Sequence, residues 1–365
     1  MNTRHSSMML NISKAHCPSA TILTRILRAK ALLACRQHSR GPQRVLCTKN
    51  SERERLVLGI ESSCDDTGVA IVSSSGLILG EALATQAHIH ASWGGVVPKL
   101  AQEAHAAAID SCVEKVFSQS GISPSELDAI AVTIGPGLSL CLRVGAMKAR
   151  QLSVSHPHLP IIPVHHMEAH ALVARLPAGL RNDLHCSHIP APPFTIRSPT
   201  FPFLCVLVSG GHNLILIVEG VGRYVQLGTT LDDALGEAYD KVARLLGLQL
   251  IPCGGAALEA LARHGDPNSF KYTLPMQKRK TCDFSYAGLK TAVRLSIEKH
   301  LGSVELSAPQ TPDQDPMGYH VRANIAASFQ RVAVAHLEER CRRAIAWAKE
   351  THPSIKHLVV ARAGR

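Results

Sequence analysis

From residue 56 onward the chain alternates short apolar runs with polar turns, and the runs change their period in a repeated order. "RLVLGIESSCDDTGVAIVSSSGLILGEALATQ" holds three runs rich in β-formers, parted by a Ser/Asp turn and a Ser/Gly turn, which predicts three strands. "PKLAQEAHAAAIDSCVEKVFSQSG" then carries helical spacing and stops at Gly121, a residue type that closes helices because it enters the left-handed region freely. A buried strand in "LDAIAVTIGPG", a helix in "LSLCLRVGAMKARQLSVSH" and a short strand in "LPIIPVHH" follow, and "MEAHALVARL" begins another helix. The predicted order is βββαβαβ.

Residues 177–202 contain six prolines and no periodicity, which predicts a linker or insertion. The pattern then restarts: "FPFLCVLVSGGHNLILIVEGVGRYVQLG" predicts three strands with a Ser/Gly first turn, and "LDDALGEAYDKVARLLG" predicts a helix. A loop over 308–316, a strong amphipathic helix in "IAASFQRVAVAHLEERCRRAIAWAKE" and a strand in "KHLVVARAGR" complete the chain. Two βββα units, each opening on a polar hairpin turn, predict a duplicated α/β fold. Lobe I covers 56–176 and lobe II covers 203–365, with a nucleotide cleft between them of the actin, sugar-kinase and Hsp70 kind. A chain of 365 residues is long enough for two such cores.

Composition changes this picture at one end. The formal net charge is +11, but residues 1–51 carry nine Lys or Arg and no Asp or Glu, which leaves about +2 for the rest. "SATILTRILRAKALLACRQHSR" is Arg-rich, hydroxylated, acid-free and amphipathic, which predicts a mitochondrial transit peptide over 1–50 and a matrix location. No apolar run approaches the roughly 18 residues of a membrane span. The eleven cysteines include no CxxC pair and sit among apolar neighbours, as reduced thiols do.

Two features carry candidate chemistry. "ESSCDD" and "VSGGH" occupy the same place in the two units, and a Ser/Gly hairpin lets backbone amides approach an anion without Cβ interference. The carboxylates of the first could hold a cation beside that anion. "PVHHMEAH" puts His166 and His170 at i and i+4, roughly 40° apart on one helix face, which suits a bidentate pair for a borderline metal or an ordinary core or surface pair. A zinc protease would need its Glu directly after the first His. Glu168 instead lies about 200° round, and His165 is out of register, so that class is not supported.

Taken in order, "LGIESSCDDTGVAIV", "GGVVPKLAQEAH", "TIGPGLSLCLRVG", "VHHMEAH", "LVSGGHNLI", "LDDALGEAYDKVARLLGL", "DFSYAGLKTAV" and "ASFQ" resemble the universal tRNA threonylcarbamoyladenosine transferase family over about residues 56–361. With the basic N-terminus, the resemblance is to its mitochondrial members. It implies transfer of a threonylcarbamoyl group from threonylcarbamoyl-AMP to N6 of the adenosine beside the anticodon in ANN-decoding mitochondrial tRNA, the donor being supplied by a threonylcarbamoyl-AMP synthase. It implies one divalent ion per subunit, iron or zinc, on His166 and His170. It also implies a nucleotide lined by Leu207, Val208, Ser209, Gly210 and Gly211, with Asp240 and the Gly254–Gly255 turn near ribose and base, and a homodimer. No residue is assigned as general base.

The chain departs from the family pattern in three places. "ESSCDDTG" replaces Thr-Ser-Cys-Asp-Glu, "IPCGGAA" replaces a Tyr-Pro-Gly-Gly-Pro turn, and after "HLVV" the chain reads "ARAGR" where the family continues to a third metal ligand, an Asp. The expectation is therefore a truncated lobe II, with a catalytically inactive form acting as a dimerisation or regulatory partner as the alternative function. An ATP-dependent small-molecule kinase shares the fold, but nothing marks a sugar site. Finally, "FKYTLPMQKRKTCDFSYAGLK" interleaves five cations with Phe270, Tyr272, Phe284 and Tyr286, a pattern suited to phosphate contacts with base stacking, or to a solvated loop whose aromatics are core.

Overall fold

The computed structural model describes residues 53–91, 93, 95–175, 198–250, 253–302 and 316–363. The segment read as a transit peptide and residues 177–197 of the linker lie outside them.

The first sheet opens as an antiparallel meander of β1 (Leu56–Glu61), β2 (Asp66–Ser73) and β3 (Ile78–Thr85). The chain passes through a short helix, α1 (Ala87–Ala91), to α2 (Pro98–Ser120). It returns as β4 (Ala129–Gly135), crosses through α3 (Ser139–Ser155), and returns again as β5 (Ile161–His165), both strands parallel to β1. The sheet order is β3-β2-β1-β4-β5. Pro98 starts α2, and Gly121 ends it at φ 66° with its amide donating to the Phe117 carbonyl, as the pattern requires. Because helices cover both faces, the central strands read as unbroken apolar runs rather than alternating ones. Leu58, Ile60, Val69 and Ile71 face α2 and α3, and each such buried side chain stabilises by roughly 1.5–3 kcal/mol.

The second sheet repeats the meander with β6 (Phe203–Ser209), β7 (Asn213–Gly220) and β8 (Arg223–Thr229). Three helices follow, α4 having already been placed between the sheets at His166–Leu172: α5 (Leu235–Leu245), α6 (Gly254–Ala262) and α7 (Ala287–Leu301). The long α8 (Pro316–Thr351) then leads to β9 (Leu358–Ala363), which pairs parallel to β6 and gives the order β8-β7-β6-β9. Leu204, Val206, Ile215 and Ile217 pack with residues of α5, α7 and α8 in the largest core cluster.

Helix α4 joins the two sheets. Its Ala169 packs with the small residues Ala70, Ala129 and Ala131 on the first sheet. Its Met167, Ala171 and Leu172 pack with Phe203, Cys205, Leu207 and Ala361 on the second. Small side chains on one side let the backbones approach, and larger ones fill the other. A seven-residue helix thus serves as the layer both sheets share.

Candidate functional site

Strands β1, β4 and β5 run parallel, so their C-terminal ends lie along one edge of the first sheet, where chemistry-bearing residues collect. Glu61 closes β1 and is fully buried. Its carboxylate accepts the Ser63 amide at 2.6 Å and the Thr133 hydroxyl, and it lies 3.3 Å from His166 Nδ1. Burial alone would push this carboxyl up. The bond to His166 and that ring's charge, with the Ser63 and Thr133 bonds, outweigh burial and hold it at about 2.

The turn around Glu61 is locked by packing. Ser62 Oγ donates to the Cys141 carbonyl at 2.9 Å and accepts the Gly145 amide at 3.2 Å, and Leu138 N donates to the Ser63 carbonyl at 2.8 Å. The buried His105 links Thr67 Oγ1 (2.7 Å) to the Cys64 carbonyl (3.1 Å), and burial pushes its pKa down.

His166 and His170 begin α4 and converge as the helical spacing predicts. Their Nε2 atoms are 3.1 Å apart and their rings are perpendicular, with centroids at 4.5 Å. His166 Nδ1 faces Glu61 Oε2 and, at 3.2 Å, Ser63 Oγ. His170 is 1% exposed, and burial, reinforced by the neighbouring His166, pushes its pKa down to about 3. Two nitrogens on a tetrahedral ion, each about 2.0–2.1 Å from it, stand roughly 3.3–3.4 Å apart. The pair therefore stands within a few tenths of an ångström of the separation a tetrahedral ion requires, and the Glu61 carboxylate braces the His166 ring from its other nitrogen. No cluster of three or more His, Cys, Asp or Glu with metal-binding geometry occurs among the described residues. His165 is exposed on β5. Glu168 faces away from the pair, as its spacing predicts. It accepts the Tyr224 hydroxyl at 2.7 Å and the Gly222 amide at 2.9 Å, tying α4 to the β7–β8 hairpin.

In the second sheet the Ser-Gly-Gly turn joins β6 to β7. Ser209 Oγ accepts the amides of Gly211 (3.2 Å) and His212 (2.8 Å), which sets the turn from within. Nothing lies within 4 Å of a Cβ built on Gly210 or Gly211, so both front open space. The N-terminal turn of α5 presses on the turn from one side: a Cβ on Gly236 would stand 2.8 Å from Gly210 Cα, and Glu237 N donates to the Gly210 carbonyl at 3.1 Å. Asp240 of α5 meets Gly254, where a Cβ would come within 2.5 Å of the carboxylate; Gly255 packs less closely, against Tyr239. Gly254 and Gly255 open α6 rather than forming a free turn.

The structure thus brings Ser209–Gly211 together with the start of α5, and Asp240 with Gly254–Gly255. The Leu207 side chain is fully buried in the cluster beneath α4, where it supports the strand, so only its backbone is available to line a nucleotide. Val208 is half-buried against the opposite core.

Sequence reasoning missed a polar network that the "LDDALGEAYDK" and "DFSYAGLK" motifs build jointly. Asp232 Oδ1 accepts the amides of Tyr286 (2.8 Å) and Ala287 (3.2 Å) and caps α7. Asp233 pairs with Lys241 at 2.5 Å and Lys290 at 2.6 Å, which outweigh burial and lower its pKa. Of the two alternatives for the aromatics of 270–286, the core one holds for Phe284 and Tyr286, which are fully buried, while Phe270 and Tyr272 are half-buried against that core.

The fold and site define an internally duplicated, two-sheet α/β protein with a histidine pair on the helix its sheets share. The chain belongs to the TsaD family of tRNA N6-adenosine threonylcarbamoyltransferases, whose family model matches residues 77–364. It is 49% identical over 312 residues to a probable mitochondrial tRNA N6-adenosine threonylcarbamoyltransferase of Arabidopsis thaliana, covering 86% of this chain and 60% of that one. It is 43% identical to the mitochondrial enzyme of Xenopus tropicalis over 81% of this chain and 67% of that one. The chain therefore spans about three fifths to two thirds of the length of these relatives. Among solved structures, component A of the Acidaminococcus fermentans (R)-2-hydroxyglutaryl-CoA dehydratase is similar over 85% of this chain and 83% of that one, at 12% identity and a TM-score of 0.38.

Proposed function

We propose that the chain transfers the threonylcarbamoyl group of threonylcarbamoyl-AMP to N6 of the adenosine beside the anticodon in ANN-decoding tRNAs of the mitochondrial matrix. The observation that carries this reading, beside family membership, is the His166–His170 pair braced by Glu61 and Ser63 at one end of the first sheet. The names of the Arabidopsis and Xenopus relatives support the mitochondrial assignment.

In this reading Glu61 accepts the Nδ1 proton of His166 and so fixes the tautomer that leaves Nε2 free. His170, neutral because it is buried, offers Nε2 toward the same point. A divalent ion, iron or zinc, held by these two nitrogens supplies Lewis acidity toward the donor's oxygens. The open side of the Gly210–Gly211 turn receives the nucleotide, and the N-terminal turn of α5 carries the positive end of the helix dipole toward it. Asp240, pressed on Gly254, faces the sugar. A threonylcarbamoyl-AMP synthase supplies the donor, and the adenylate departs as a good leaving group.

Leu140, Met147 and Val154 are exposed on α3 at seven-residue spacing, which supports a homodimer through that face. Among the described residues no helix is long and apolar enough to cross a membrane.

The test is transfer of labelled threonylcarbamoyl from the adenylate donor to a transcript of a mitochondrial ANN-decoding tRNA. Label on the adenosine beside the anticodon is the expected result. Absence of label with the metal-loaded chain and a competent donor would overturn the reading.

A further inference from the structure

Beyond the cleft, the structure presents a preorganised cationic loop. Arg340 of α8 is fully buried, and its guanidinium donates to the carbonyls of Met276 (2.9 Å), Arg279 (3.0 Å) and Thr281 (2.5 Å). Met276 holds φ 52°, the one non-glycine residue in the left-handed region among the described residues. A planar fork with donors aimed at three carbonyls fixes the path of 276–281 from below. On the far side the chain is sewn to the edge strand β8. Phe284 N donates to the Thr229 carbonyl at 2.8 Å, Thr229 N donates to Asp283 at 3.0 Å, and a Cβ on Gly228 would lie 2.2 Å from the Cys282 carbonyl.

Between these anchors Lys278, Arg279 and Lys280 are exposed, and none has a carboxylate partner among the described residues. This is unlike Lys241 and Lys290, which share Asp233. The loop also has a defined place. Thr229, to which it is sewn, pairs with Leu214, next to the Asn213 that follows the Ser-Gly-Gly turn. Phe284 bridges Thr230 in parallel, so the chain runs from the three cations toward that end of the second sheet, and the cationic loop lies behind it.

We infer that Lys278, Arg279 and Lys280, on a loop held in place by Arg340, form a seat for the sugar–phosphate backbone of the tRNA. The inference rests on the transferase reading for the identity of the polyanion. Cations on a fixed backbone lose little freedom when a ligand arrives, so their charge goes into binding rather than into ordering the loop. With the nearby aromatics in the core, the seat reads backbone and not bases, and its contribution is electrostatic and sensitive to salt.

The experiment is fluorescence anisotropy of a labelled ANN-decoding tRNA transcript with the full chain and with the K278A/R279A/K280A variant, at about 50 and 200 mM KCl, and with heparin as a second probe. Each lost phosphate contact removes about 0.7–0.9 from the slope of log K against log salt. Three contacts remove about 2–3, so the variant's handicap in tRNA affinity shrinks roughly 20- to 40-fold between the two salt concentrations. The variant's melting temperature and AMP binding stay at the parent values, because the three side chains bear on neither core nor cleft. If tRNA binding keeps its affinity and slope while heparin binding falls, the loop serves an acidic partner other than RNA, and the seat is overturned. Unchanged binding of both probes overturns it as well, with the transferase reading left standing. A parent chain that binds no tRNA at about 50 mM salt overturns both.

Discussion

The Ser-rich turns that follow β1 and β6 occupy the same place in the two sheets and differ in what surrounds them. A Cβ on Gly137 would stand 2.5 Å from the Ser63 carbonyl, and one on Gly145 would stand 2.5 Å from Ser62 Oγ. A Cβ on Gly210 or Gly211 would meet nothing within 4 Å. The first turn is packed shut and holds a carboxylate behind His166. The second is set by its own serine and left open. The two copies share a backbone path and differ in packing; in the function proposed above, the first orients a ligand of the ion and the second faces the nucleotide. The space around a glycine, more than its presence in a motif, distinguishes the two.

The largest effect should come from removing the pair that the closed turn braces. His166→Ala with His170→Ala should strip bound metal, read by elemental analysis, and reduce transfer by more than about 100-fold, since even outer partners of a metal site are worth 10–100-fold. Stoichiometric metal and full turnover in the double variant would make the pair a structural feature only. Glu61→Gln should weaken metal affinity by about 10–100-fold through the loss of the carboxylate behind His166 Nδ1, while Gly210→Ala leaves it unchanged. Equal effects of the two would erase the division of labour.

Sterics give the next contrast. Gly137→Ala should destabilise by about 1–3 kcal/mol in urea titration, because the new methyl meets backbone that cannot yield. Gly211→Ala should stay within about 0.5 kcal/mol and act on nucleotide binding instead. A Gly137→Ala chain as stable as the parent would show that the first turn is looser than its packing implies.

The smallest effect concerns the buried histidines. His336 in the second lobe is pushed down to about 4 by burial and by Arg340, and His105 in the first is lowered by burial. A histidine depressed in the folded state takes up its proton in the unfolded state first, near pH 6.5, so its contribution is intact above that pH and is lost as pH falls toward 4. Between pH 7 and 5.5 His336 alone should account for about 1 kcal/mol of lost stability. His336→Gln, whose amide oxygen can still accept the Ser285 N–H, should flatten that slope. A profile identical to the parent's would assign the acid sensitivity elsewhere.

Much of the fold was legible because its signals are local. The order of elements along the first lobe, the stop at Gly121 and the convergence of His166 with His170 follow from period and spacing alone. What escaped depends on which element packs on which. A run such as "FLCVLV" shows that Leu207 is in a strand, but which face α4 covers is decided by tertiary contacts. The aromatics of 270–286 alternate with polar residues on an irregular segment, where no period says which of them point inward. Glu61 could have been suspected as a carboxylate ending an apolar strand. Arg340 could not, because within a helix crowded with Arg and Glu nothing marks the one that is fully buried.

The pairing of β6 with β9 bears on how the chain reaches this architecture. In the first sheet Val57 finds Ala129, and the strands, helices and loops it needs all lie before Leu172. In the second, Leu204 waits for Leu358. A chain that emerges or is threaded from its N-terminus can complete one lobe while β6 still presents an unpaired edge beside an apolar face. Closing that long loop is slow in entropy and sensitive to capture by other strands. Helix α4 can dock on the first sheet early, so the histidine pair can be aligned with Glu61 before β9 closes the second sheet.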